Sequence, residues 1–200
     1  MNTCDALNAT LGHAAAAARR VPSLVGRALV AGLLVSAPFL ATPAPEASAA
    51  APSEDAARAD RYLGQLLSEI NARRARVGSP PVAYATQAAN SAVDQYLADL
   101  TPRMLAYNSC FHGAGNPVPP GWDYVGASGL RGDAHGEVIA CPGSDGYWTP
   151  ARIAESWWGS PPHFQSLYAD PDANAVACGT YGPQKNGAAY QTIACITYRI

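Results

Sequence analysis

The chain has 200 residues and a formal net charge of −2, and it is 48% hydrophobic, 14% charged and 8% aromatic. That length fits one domain at the usual ~100–200 residues each. The low charge excludes a polyelectrolyte tail and a charge-driven nucleic-acid binder, which carries a basic excess. No segment repeats periodically, which excludes solenoids and propellers.

Arg19, Arg20 and Arg27 precede the uncharged apolar run Ala28–Leu40. The run is too short for the roughly 20 residues of a spanning helix, and it suits the apolar region of a signal peptide. Ala47-Ser48-Ala49 fits the small-residue cleavage pattern. Residues 1–49 are therefore expected to be a signal peptide, 50–59 a linker and 60–200 the folded domain. The product would be secreted or periplasmic, with no stable membrane insertion after cleavage.

Residues 50–200 keep ten basic and thirteen acidic side chains, a net of −3, and the cysteines Cys110, Cys141, Cys178 and Cys195. An even number of Cys in an exported domain reads as a disulfide framework. Four cysteines allow three pairings, among which sequence alone does not choose. Cys178 and Cys195 lie in strand-like segments joined through the turn Gly182–Gly187, so a cross-strand bond is geometrically natural. Cys110 with Cys141 is then the remainder. A four-Cys zinc site is disfavoured, since the chain has no C-x-x-C pair.

In chain order, Leu63, Leu66, Leu67, Ile70 and Val77 follow helical spacing over 55–77, with Gly78 as a stop before Pro80-Pro81. Thr86 caps a second helix expected to end near Leu100, ahead of Pro102. Residues 106–135 are rich in Gly, Pro and Asn with no usable period, and read as a long loop. A short strand is expected over 136–140. Thr149-Pro150 starts a third helix that ends at Gly159, and Ser160-Pro161 starts a further turn through His163 and Leu167. Strands are expected over 174–182 and 188–199. Helices followed by strands indicate an α+β domain.

His112, His135 and His163 are the histidines past the leader, with Glu137 and Glu155 the nearest acids in sequence. The spacing of Ser160 and His163 imitates a Ser–His pair, but Ser160 is better explained as a helix cap, and no nucleophile-elbow motif surrounds it. The four Trp residues, Trp122, Trp148, Trp157 and Trp158, read as core or cavity wall more readily than as an exposed aromatic surface.

Ordered motifs carry a family resemblance. Leu66–Asn71 with Arg74, Gly78 and Pro81-Val82 resembles the first helix of the CAP superfamily, with its N-x-x-R element. This is the cysteine-rich secretory, antigen 5 and pathogenesis-related group. Cys110–Gly113 resembles the segment of the first family histidine, and Gly136–Ala140 the G-E-N-I-A signature. Trp157–His163 resembles the bacterial W-x-x-S-P-x-H signature, and the strands around Cys178 and Cys195 fit the family ending. The chain departs from the pattern at Val138, which replaces the family Asn, and at Phe164-Gln165-Ser166, where an Arg and an Asn are usual.

The resemblance implies a three-layer α–β–α sandwich around a mainly antiparallel sheet. It also implies a cavity of His112, Glu137 and His163, with Ser160 nearby at the position of a second Glu in many eukaryotic members. Such a cavity binds zinc in some members, through His112, Glu137 and His163 here. The implied roles are mostly non-enzymatic: binding of a lipid or other small apolar ligand, or interaction with an envelope or host protein. The alternative is a zinc-dependent extracellular hydrolase of peptide or cell-wall substrates. Zinc with an open position could activate water, but ligand types alone do not establish turnover.

Overall fold

In the computed structural model, the described residues are 54–115, 117–141, 147–183 and 190–200. The expected signal peptide lies outside them. Within them nine elements run in chain order: α1 (Glu54–Arg76), β1 (Ala83–Tyr84), α2 (Gln87–Tyr107), α3 (Gly121–Ala127), β2 (Asp133–Ala140), α4 (Pro150–Trp158), α5 (Pro161–Leu167), β3 (Ala175–Tyr181) and β4 (Thr192–Arg199). The α1 helix begins inside the stretch read as a linker.

The strand order is β1-β3-β4-β2. The β1–β3 pair is parallel, whereas β3–β4 and β2–β4 are antiparallel. Both faces of the sheet are covered, so β4 is buried along nearly its whole length and its side chains divide by alternation. Ile193 and Cys195 join the core under α1, α4 and α5, with Leu66, Ile70, Trp157 and Leu167. Ala194, Ile196 and Tyr198 join a second core under α2 and α3, with Val93, Tyr96, Leu97 and Val125. This is the three-layer α–β–α arrangement, and each fully buried Leu or Ile in it contributes roughly 1.5–3 kcal/mol.

The N-x-x-R element of α1 braces the segments on its C-terminal side. Asn71 donates from Nδ2 to the Val82 carbonyl at 2.8 Å and accepts from the Val82 N–H at 2.9 Å. Arg74 is fully buried. Its Nε donates to the Pro80 carbonyl, Nη1 to Leu167, and Nη2 to Asp170 and Ala173, all at 2.7–3.0 Å. One side chain thus fastens the end of α1 to the end of α5 and to the loop entering β3.

Two helical expectations are corrected. The α2 helix does not stop at Leu100 but runs through Pro102 to Tyr107. Proline forfeits one backbone hydrogen bond, yet Leu100, Thr101 and Met104 are buried, and their packing outweighs the local breaker. Asn108, at φ 44°, closes the helix in the left-handed region, with its N–H toward Leu105 and Met104. The stretch read as one long loop contains α3, a seven-residue helix too short to show a period.

Beyond β1, the outer edge of β3 is closed by side chains. Asn90 Oδ1 accepts from the Cys178 N–H at 3.0 Å, and Asp94 Oδ1 from the Thr180 N–H at 2.7 Å. These residues sit one helical turn apart on α2 and occupy donors that another strand would otherwise pair with.

Both disulfides form, Cys178–Cys195 across directly opposed residues of β3 and β4, and Cys110–Cys141 between the loop after α2 and the end of β2. Cys178 and Cys195 are fully buried, whereas Cys110 and Cys141 are half-buried. Exchange needs access of the attacking thiolate to sulfur. Under mild reductant without denaturant, alkylation and peptide mapping are expected to show Cys110 and Cys141 labelled first. Prior labelling of Cys178 and Cys195 would contradict this.

Candidate functional site

Alternation along β2 turns Val138 and Ala140 into the first core, and Glu137 and Ile139 toward α2. Glu137 is thereby a buried carboxylate, 7% exposed, which needs partners to offset its lost hydration. It has three. Tyr96 donates its hydroxyl to Oε1 at 2.8 Å, His112 Nδ1 meets the same oxygen at 2.7 Å, and the Gly121 N–H donates to Oε2 at 3.0 Å. Tyr96 itself accepts from the Gly113 N–H at 2.9 Å, so its proton is committed to Glu137. A carboxylate oxygen facing Nδ1 fixes the proton of the neutral His112 ring on Nδ1 and leaves Nε2 as the acceptor.

The glycines here have a steric cause. A Cβ on Gly121 would stand 2.5 Å from Glu137 Oε2, and one on Gly113 would stand 2.2 Å from the Pro119 carbonyl oxygen. Burial, with the Glu137 charge second, raises the Tyr96 phenol well above its usual range, so it remains a donor. Tyr198 on β4 is raised by the same causes in the same order, with Asp123 third. Its hydroxyl is buried without a hydrogen-bond partner.

His112 is held by the chain on both sides. The Cys110–Cys141 bond ties its loop to the end of the strand that carries Glu137. His163 comes from α5 in the opposite helical layer, and its ring centroid lies 6.5 Å from that of His112. The cluster therefore gathers where β2, the last strand in the sheet order, meets α5 and the loop after α2. His112 also lines a cleft of about 440 Å³ with Leu100, Arg103, Tyr107, Phe111 and Val118.

The donor set does not fit a three-ligand zinc centre. Both Glu137 oxygens are occupied as acceptors, and His112 Nδ1 faces Glu137. Two imidazoles on one tetrahedral zinc, with Zn–N of about 2.0–2.1 Å, place their ring centroids about 5 Å apart, closer than observed. Among the described residues, no group of three or more His, Cys, Asp or Glu is placed to hold a metal ion. Glu137 instead stands behind His112 as its orienting partner.

The remaining candidates differ in their surroundings. Ser160 occupies the N-cap position of α5, but its side chain makes no capping bond and its Oγ is buried without a partner. Glu155 pairs with Arg73 of α1 at 3.0 Å and does not join the cluster. His135 is not a loop residue: it lies in β2 where the register shifts between Ala134 and Gly136, and its Nδ1 meets Asp170 Oδ2 at 2.7 Å. The shift separates it from Glu137. Trp157 is core, Trp148 and Trp158 pack against the core, and Trp122 is 43% exposed.

Tyr96 and Gly121 went unrecognised in the sequence, and Gly113 was read only as part of the motif around His112. Tyr96 had a signal: it falls on the buried stripe of α2 with Val93, Leu97 and Leu100, and a phenol placed there needs a partner. Gly121 sits among many other glycines, with nothing local to single it out.

Residues 67–196 match the family model described as CAP, the cysteine-rich secretory protein family. An extracellular protein containing an SCP domain from Bacillus anthracis, solved by crystallography, is similar in fold at a TM-score of 0.56 and 17% identity. The alignment covers 75% of this chain and 45% of that one, so this chain spans less than half the length of that protein. An outer surface protein from Borrelia burgdorferi aligns at a TM-score of 0.49 and 12% identity, over 70% of this chain and 94% of that one. No curated protein matches the chain.

Proposed function

Because the chain belongs to the cysteine-rich secretory protein family, we propose that it is an extracellular binding protein that holds a small apolar or lipid-like ligand in the cleft beside His112. The SCP-domain neighbour from Bacillus anthracis, described as extracellular, agrees with that location. No helix among the described residues is long and apolar enough to cross a membrane.

The observation that carries the reading is the apolar wall of the cleft beside His112, formed by Leu100, Tyr107, Phe111 and Val118. A general base needs an oxygen turned toward the reacting group, and both oxygens here receive protein donors. The carboxylate is arranged to orient an imidazole, and the imidazole faces an apolar cleft. Polar groups of that kind fix a ligand's orientation in a largely hydrophobic pocket.

The test is fluorescence titration of the oxidised protein with the uncharged probe phenylnaphthylamine. Saturable binding that Phe111→Ala weakens by about tenfold or more is expected. Absence of binding would overturn the reading. So would hydrolysis of a peptide or cell-wall substrate that chelator abolishes, zinc restores and His112→Ala with His163→Ala removes; that result would establish the hydrolase.

A further inference from the structure

We infer that the cleft between the end of α2 and the residues Ser109, Phe111 and Val118 that follow it selects an anionic amphiphile: an apolar or aromatic body seated on Tyr107, Phe111 and Val118, with one acidic head at Arg103. This rests on the reading of the cleft as a small-molecule site and adds the charge of its occupant.

The walls are mainly apolar. Phe111 is half-buried, Tyr107 stands 73% exposed at the rim, and their rings meet edge-on at 6.4 Å between centroids. Aromatic faces held open in this way offer contact area at low conformational cost. Val118 is buried at the base. The cleft volume, about 440 Å³, falls in the range of small-molecule sites.

Among the described residues, Arg103 is the cation of this wall. On a helix its natural partner would be Asp99, one turn earlier. That carboxylate is engaged elsewhere: Oδ2 accepts from the Tyr124 hydroxyl at 2.7 Å and Oδ1 from Gln95 Nε2 at 3.3 Å. Among the described residues no ion pair or hydrogen bond occupies the Arg103 guanidinium. Its planar fork is therefore available to a carboxylate, sulfonate or phosphate group. Glu137, the buried acid next to His112, turns its oxygens into the protein, and among the described residues no acid lines the cleft against an incoming anion.

The occupant is distinguished by a matched pair of probes, anilinonaphthalene sulfonate and uncharged phenylnaphthylamine, which share one aromatic body. The native protein is expected to bind the sulfonate roughly tenfold more tightly. Arg103→Gln should abolish that preference, and Arg103→Lys should retain part of it. Arg103 is exposed, so neither variant disturbs the core. Decanoate should displace the sulfonate probe from the native protein at roughly tenfold lower concentration than the uncharged decanol does, and this advantage should be lost in Arg103→Gln. Equal binding of both probes, or a preference that survives Arg103→Gln, overturns the charge assignment while the small-molecule reading stands. Failure of both probes to bind overturns both.

Discussion

Replacing Arg74 with Ala is expected to remove most of the domain's stability. The guanidinium is fully buried and donates to the carbonyls of Pro80, Leu167, Asp170 and Ala173. Removing it leaves buried acceptors from three chain segments without a donor and opens a cavity where the side chain lay. Each stranded acceptor costs about 1–3 kcal/mol, so a loss of about 4 kcal/mol or more is expected. Domains of this kind have about 5–15 kcal/mol in total. Two further variants separate the causes. Arg74→Met refills most of the volume and restores no bond, so it should fall nearly as far as Ala. Arg74→Lys keeps the charge, but one ammonium cannot reach acceptors spread around a planar fork, so its loss should be intermediate. Urea unfolding with both disulfides intact measures all three. An Arg74→Met protein within about 1 kcal/mol of native would show that packing, not the bonds to the carbonyls, is the contribution of Arg74. The consequence reaches the site, because Leu167 ends the helix that carries His163.

Helix starts were legible where the chemistry is local. Thr86 and Thr149 each accept from a backbone N–H three residues on, as their side chains foretell. The cross-strand disulfide was legible for the same reason, since two strands joined in sequence bring Cys178 opposite Cys195. Pro102 misled because its penalty is local, whereas the burial of Met104 that outweighs it depends on the whole sandwich. The site shows the same division. His112, Glu137 and His163 stand in motifs that can be read from the chain, and the fold brings the first two into contact and the third within 6.5 Å of His112 between ring centroids. The role of Glu137 could not be read, because it depends on Tyr96 and Gly121, which reach it from other elements. A carboxylate near two histidines suggests a ligand to a metal; one surrounded by three donors is an anchor for the ring.

Glu137→Gln is expected to invert the polarity of His112 without altering any residue that lines the cleft. The amide has the shape of the carboxylate but must place an NH₂ group on one side. Toward Gly121 it would meet a backbone N–H that has no other role to adopt. Toward His112 and Tyr96 it meets groups that can adapt: Tyr96 can accept, and the neutral imidazole can move its proton to Nε2 and accept at Nδ1. The amide should therefore turn its oxygen to Gly121. His112 in the neutral ring is then expected to change from the Nδ1–H to the Nε2–H form, which ¹⁵N chemical shifts of the two ring nitrogens distinguish directly. Stability should fall by about 1–3 kcal/mol, since charge-assisted bonds give way to neutral ones and the Tyr96 hydroxyl loses its acceptor. A native protein already in the Nε2–H form, or a variant that keeps the native tautomer, would show that Glu137 does not set the ring. If the inversion occurs, the cleft presents a donor where the native protein presents an acceptor. Any preference of the native cleft for a hydroxyl-bearing probe over its ether counterpart should then vanish, because a ligand hydroxyl can meet either form whereas an ether can meet only the donor.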